Sequence, residues 1–221
     1  MTLKEKIESF IVDEGYNKKT DMCKLFLDNG SDKSSWHNYT TLYDILFSDF
    51  IGKNINFFEL GLGTNNTSIP SNMGKDGTPG ASLYAFREYF KNANICGADI
   101  DDKILFEDDG IWTFYVDQTD PDAIKNLWDC FEDTQFDVII DDGLHAFYAN
   151  KIFFEESFHM LKDGGLYIVE DILLNDKQKF VDFFSDKNVS FCEVLEIPMS
   201  KNWTSSGRIN QIDNCVLIIQ K

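Results

Sequence analysis

The sequence predicts an α/β fold: a doubly wound, mostly parallel sheet of seven strands, with helices on both faces and an N-terminal helical cap. Three observations predict it. From about residue 55 onward, short apolar runs alternate with amphipathic stretches, the rhythm of strand–helix–strand units. The runs are continuously apolar rather than alternating, as in INFFEL, FDVII and LYIVED, so both faces of each strand are covered. Before about residue 50 the apolar spacing is helical.

Taken in order, LKEKIESFIV puts Leu3, Ile7, Phe10 and Ile11 on one helical face. DMCKLFLDNG is a second short helix, stopped by Gly30. SDKSSWHNY is a loop of polar and aromatic groups, and TTLYDILFSDFIG is helical up to Gly52. INFFEL (55–60) is the first strand, closed by GLG. Residues 64–80, TNNTSIPSNMGKDGTPG, are turn formers almost throughout, and a loop this long in a compact domain usually serves function. ASLYAFREYFKNA is a helix with Ser82 as its candidate cap. NICGADI and WTFYVDQTD are the second and third strands, and Asp120-Pro121 open the helix PDAIKNLWDCFED. FDVII is the fourth strand. AFYANKIFFEESFHMLKDGG is a helix running to Gly164-Gly165, LYIVED the fifth strand, and DKQKFVDFFSDK a further helix. SFCEVLEI and NCVLIIQK are the last two strands. The chain therefore divides into a cap over residues 1–50 and an α/β domain over 51–221.

At 221 residues the chain suits one decorated domain, and 43% apolar content with 20 Phe can fill a sizeable core. A formal charge of −18 argues against nucleic acid or an anionic membrane as partner. Cys23, Cys96, Cys130, Cys192 and Cys215 are odd in number and form no CxxC pair, which reads as free thiols in a reducing compartment. MTLKEKIESF lacks the apolar core of a signal peptide, and no apolar run reaches the ~20 residues that span a bilayer. The expectation is a cytoplasmic protein.

The polar clusters fall at the carboxyl ends of the strands, where open α/β sheets bind ligands. These are Glu59 with Gly61 and Gly63, Asp99, Asp117-Gln118, Asp141-Asp142 and Glu170-Asp171. Gly61 and Gly63 allow close backbone approach to a ligand, and Asp99 can accept from two ribose hydroxyls. The dinucleotide pattern GxGxxG fails because its third glycine would be Asn66. A nucleoside without phosphates fits better than NAD. His159 and the Phe-rich helix around it are assigned no role. Trp36, Trp112, Trp128 and Trp203 read as packing residues, with Trp36 the best candidate for a stacking platform.

FFELGLG, GADID, DVIIDDG and LKDGGLYIVED together resemble the class I S-adenosylmethionine-dependent methyltransferases, whose sheet is Rossmann-like. Within that group DKSSWHNYTTLY, GASLYAFREYF, DQTD, DDGLH and VEDI look most like the metal-dependent O-methyltransferases of macrolide sugars, of mycinamicin and macrocin type, and the cephalosporin-hydroxylase-like proteins. The resemblance implies that residues 51–221 form the methyltransferase domain. Glu59, Gly61, Gly63, Asp99, Asp117, Gln118 and Asp141 would surround S-adenosylmethionine, with His37 and Tyr39 on a lid over it. Asp142, Glu170 and Asp171 would bind a divalent cation, Mg²⁺ being the natural choice for hard oxygen ligands, and His145 would be the general base. The implied acceptor is a sugar, a nucleotide-activated sugar or a sugar-bearing metabolite, and a homo-oligomer is compatible. Two departures bear on the acceptor: Leu144 stands where DGSH would have a small polar residue, and the 64–80 loop differs in length and composition from the pattern. Transfer to nitrogen or to a phosphate-type oxygen is an alternative. A non-haem iron hydroxylase is disfavoured by three histidines with no HxD or HxE pair, and a non-catalytic cofactor-binding domain by the complete carboxylate and histidine set.

Overall fold

A computed structural model describes residues 1–200 and 212–221; Trp203 lies outside the described residues. The helices are α1 (Leu3–Val12), α2 (Asp21–Asp28), α3 (Tyr39–Leu46), α4 (Ala81–Tyr89), α5 (Pro121–Asp129), α6 (Phe147–Ser157) and α7 (Lys177–Phe184). The strands are β1 (Asn56–Leu60), β2 (Asn94–Asp99), β3 (Glu107–Asp108), β4 (Ile111–Tyr115), β5 (Phe136–Asp141), β6 (Leu161–Val169), β7 (Phe191–Glu196) and β8 (Cys215–Gln220). They form one sheet in the order β3-β4-β2-β1-β5-β6-β8-β7. The inner pairs β4–β2, β2–β1, β1–β5 and β5–β6 are parallel, and the outer pairs at both edges are antiparallel. The chain leaves β1 toward β2 and later returns to its other side with β5. This reversal opens a crevice at the carboxyl ends of the central strands.

Strand parity sorts the core into two layers, because successive side chains point to opposite faces. Phe57, Ile95, Val138, Ile140, Leu166 and Ile168 join α1 to α4 on one face. Phe58, Leu60, Ile139, Tyr167 and Val169 join α5, α6 and α7 on the other. The N-terminal helices are part of the first layer: Phe10, Phe26, Tyr43 and Phe47 share a core with Phe57 and Phe86. The rings of Phe57 and Phe86 lie 4.2 Å apart. Among the described residues no helix is long and apolar enough to cross a membrane.

Three local expectations need correcting. The sheet has an eighth strand, because Glu107–Asp108 pairs back on Ile111–Trp112; both residues are exposed, so no apolar pattern announces it. The helix expected to run to Gly164-Gly165 stops at Ser157, and Leu161–Gly165 belongs to β6. The competing pairing there is Phe136 with Leu161, followed by a register shift before Val138, so sheet pairing overrides the helical pattern. Ser82 lies inside α4, whose cap residue is Gly80; the Ser82 hydroxyl instead donates to Glu59.

Candidate active site

The carboxyl ends of the central strands open onto a cavity of about 870 Å³. Gly61, Gly63, Asp99, Asp117, Gln118, Asp142, His145, Glu170, Asp171 and His37 line it. Glu59, Asp141 and Tyr39 do not; they stand behind its wall and hold residues that do.

The glycine turn after β1 is a close approach between two strand ends. Gly61 has φ +89°, and a Cβ there would strike the backbone carbonyl of Asp142. The Asp142 amide donates to the Leu60 carbonyl at 2.9 Å and the Gly61 amide to the Ala98 carbonyl at 2.8 Å. Gly63, with φ +78°, lies under the Met73 thioether. The 64–80 loop thus folds back over the turn. The Met73 amide donates to the Thr64 carbonyl, the Asn65 amide group to the Gly74 and Gly77 carbonyls, and the Ser71 hydroxyl to the Leu144 carbonyl.

Asp99 is oriented by its own backbone neighbours: its carboxylate accepts from the Leu62 amide at 2.7 Å and the Asp101 amide at 2.8 Å. Burial pushes its pKa up, and these hydrogen bonds oppose the shift. Gln118 is a clamp, donating to Asp141 at 2.7 Å and accepting from the Leu144 amide at 2.7 Å. It therefore fixes the turn that carries Asp142 and His145. The Asp117 carboxylate accepts from the Thr119 amide and hydroxyl.

Strand parity also explains the acidic centre. Glu59 follows Phe57, and Glu170 follows Leu166 and Ile168, onto the face that the N-terminal helices cover. There they meet a residue the sequence reasoning missed. Lys33 is buried, with its ammonium 2.5 Å from Asp142 Oδ2, 2.7 Å from Glu170 Oε2 and 3.2 Å from Glu59 Oε1. The last distance suits an ion pair, but its angle is too poor for a hydrogen bond, and Glu59 Oε1 has no such partner. Tyr43, also missed, donates to Glu170 Oε1 at 2.5 Å. Burial alone would lower the Lys33 pKa, but Asp142, Glu170 and Glu59 outweigh it and keep the ammonium charged. Burial raises Glu170 well above the usual carboxylate range against the pull of Lys33, and raises Glu59 to about 7. No local signal marks Lys33. The only hint is five acidic strand ends converging on one cleft, which demands a cation from somewhere.

On the cavity side, His145 sits between two carboxylates. Its Nε2 is 3.1 Å from Asp142 Oδ1 and its Nδ1 is 3.5 Å from Asp171 Oδ2. Asp171 also accepts from the Tyr39 hydroxyl at 2.5 Å and lies 3.6 Å from His37 Nε2. The His37 and Tyr39 rings stack at 4.6 Å. Burial would lower the His145 pKa, but the Asp142 hydrogen bond and the charges of Asp171, Asp142 and Asp141 carry it up to about 10. The ring is 27% exposed. His145 and Asp171 both hold left-handed backbone, φ 55° and 53°, a strain that clusters at functional sites. The three carboxylates expected to share a cation fall into two groups with Asp142 in common: Asp142 with His145 and Asp171, and Asp142 with Glu59 and Glu170. Their oxygen-rich donor sets suit a hard divalent cation.

No family model matches the chain. It is 32% identical over 148 residues to the 8-demethyl-8-alpha-L-rhamnosyl tetracenomycin-C 2'-O-methyltransferase of Streptomyces olivaceus, covering 67% of this chain and 36% of that one. It is 31% identical over 138 residues to the demethylmacrocin O-methyltransferase of Streptomyces fradiae, covering 62% and 32%. The chain spans about a third of the length of the curated relatives it matches. Among solved structures, the MycE methyltransferase of the mycinamycin biosynthetic pathway, in complex with Mg, SAH and mycinamycin VI, superposes with a TM-score of 0.69. The identity is 20%, covering 100% of this chain and 63% of that one. A putative ribosomal RNA methyltransferase from Plasmodium falciparum gives a TM-score of 0.54 at 14% identity, covering 83% and 94%.

Proposed function

For a chain that carries the class I S-adenosylmethionine-dependent methyltransferase fold and is related in sequence to sugar O-methyltransferases, we propose cation-assisted methyl transfer from S-adenosylmethionine to a hydroxyl of a sugar-bearing small molecule. The observation that carries this reading is His145. It is held between Asp142 and Asp171 on the wall of the same cavity that Gly61, Gly63 and Asp99 line. In support, the MycE methyltransferase, whose fold this chain shares, is in complex with Mg, SAH and mycinamycin VI.

When bound, S-adenosylmethionine would supply an electrophilic methyl group, and a cation on Asp142, with Glu170 on one side of it and Asp171 on the other, would supply charge that acidifies an acceptor hydroxyl. The chain's own residues do the rest. Gly61 and Gly63 let the backbone approach the cofactor, and Asp99 accepts from its ribose hydroxyls. Gln118 and Asp141 lock the turn bearing Asp142 and His145. The Tyr39 hydroxyl fixes one Asp171 oxygen, leaving the other toward His145. His145 takes the hydroxyl proton at a ring nitrogen, for which it must be neutral. Asp142 and Asp171, which hold the ring protonated, would pull on it less with a cation beside them. The 64–80 loop and His37, which Tyr39 backs by stacking, wall the cavity and limit water around the reactants.

His37 and His145 both reach Asp171, yet among the described residues no single cluster holds both histidines, so an iron triad is not supported. The five free cysteines support a reducing, cytoplasmic setting, and the −18 charge supports a small-molecule partner over nucleic acid. The test is transfer of labelled methyl to a panel of sugars and nucleotide-activated sugars, with and without Mg²⁺, alongside calorimetry with SAH and NAD. Binding of NAD but not SAH would refute the cofactor, and full turnover in excess EDTA on protein shown to be metal-free would refute the cation.

A further inference from the structure

Lys33 reaches the acidic centre from the turn Asp32–Ser34, between α2 and α3. Its side chain is 3% exposed. An ammonium has three hydrogens, and three carboxylates surround this one. Both oxygens of Glu170 are engaged, Oε2 by Lys33 and Oε1 by Tyr43. Asp142 is divided, with Oδ2 on Lys33 and Oδ1 on His145. A hard divalent ion takes six or more oxygens at about 2.0–2.6 Å. Such an ion cannot use Asp142 Oδ2 and Glu170 Oε2 while an ammonium lies 2.5 and 2.7 Å from the same atoms. Lys33 has somewhere to go: it borders the cavity, and its flexible four-carbon stem can turn the ammonium toward solvent.

We propose that Lys33 is a tethered, exchangeable counter-cation that competes with the divalent ion for Asp142 and Glu170 and swings into the cavity when the ion enters. This rests on the reading that the site takes a divalent cation. It makes Lys33 the residue that sets cation affinity. Lysine is suited to the role, being a compact point charge, whereas arginine would lock both carboxylates in a planar fork.

The wild-type protein provides the first test. Reductive methylation with formaldehyde and a borane reductant, read by mass spectrometry, should leave Lys33 protected without a divalent ion and label it with Mg²⁺ or Mn²⁺, while exposed Lys4 reacts equally throughout. The second test is Mn²⁺ binding by calorimetry. Lys33→Met removes the competitor and should bind Mn²⁺ at least about tenfold more tightly than wild type. Mn²⁺ binding to wild type with Lys33 still protected, or with affinity unchanged in Lys33→Met, would overturn the exchange and leave the cation site standing. No Mn²⁺ binding to either protein would overturn both.

Discussion

At the scale of the residue, the site divides its carboxylates by what surrounds them. Asp142 lies beside Lys33 and His145; burial would raise its pKa, but those partners hold it at about 2. Its chain neighbour Asp141 points to the opposite face of the sheet, fully buried, where it accepts from Gln118 through Oδ1 while Oδ2 has no partner. Burial pushes Asp141 up to about 6, with nearby Asn150 opposing the shift. The fold therefore binds this proton more tightly than the unfolded chain does. That contribution is fully present below pH 3.8 and is lost as pH rises through about 6, a loss on the order of 3 kcal/mol. Asp141→Asn keeps the oxygen that Gln118 needs and carries no charge. It should melt above wild type at pH 7.5, with the advantage gone near pH 4; a difference that ignores pH would show Asp141 is not titrating. His145→Ala, by contrast, should lower turnover about 10²–10⁴-fold with SAH affinity within a few-fold. Turnover close to wild type would remove the base, and a loss of SAH binding in step with turnover would mark a structural residue instead.

At the scale of the element, the decisive piece is the joint where β1 gives way to the glycine turn. Gly61 and Gly52 both have positive φ, +89° and +75°, but a Cβ at Gly61 meets the Asp142 carbonyl whereas at Gly52 it meets nothing within 4 Å. Both alanine variants incur backbone strain of roughly 1–3 kcal/mol. Only Gly61→Ala should also weaken SAH binding more than about tenfold, by pushing the β5 turn out of place. Equal effects in calorimetry and thermal melts would mean the contact between the strand ends is irrelevant to the cofactor. Elements of this kind were legible in the sequence because continuous apolar runs locate strands, and strand ends locate Gly61, Asp99, Asp142 and Glu170. Two things were not. The β3 strand has two exposed acidic residues and no apolar signature. The end of α6 is decided by pairing with Phe136, a partner twenty-five residues earlier. Strand parity would have set Glu59 and Glu170 on the cap-side face, but nothing in DKSSWHNY distinguishes a buried Lys33 from a solvated one, and Tyr43 reads as ordinary helical core.

At the scale of the whole molecule, the question is whether residues 1–50 are a removable cap on a self-sufficient domain. The packing argues that they are not. Phe26 stacks edge-on against Phe86 at 4.8 Å, and Phe47 touches Phe57, Phe86 and Phe90, so removing the segment would strip one face of the sheet. A large apolar side chain contributes about 1.5–3 kcal/mol when buried, and a whole domain is stable by only about 5–15 kcal/mol. Exposing this cluster alone would use up that margin. The loss would be electrostatic as well: Lys33 and Tyr43 would leave Glu59, Asp142 and Glu170 facing one another at the strand ends, and like charges there repel with nothing between them. A fragment of residues 51–221 is therefore expected to lack a cooperative thermal transition and dispersed amide resonances, and to bind SAH too weakly to measure. Saturating Mg²⁺ could offset the repulsion but not the exposed phenylalanines, so it should not rescue the fold. A fragment that melts cooperatively within about 5 °C of the full chain would show that the segment is a true lid.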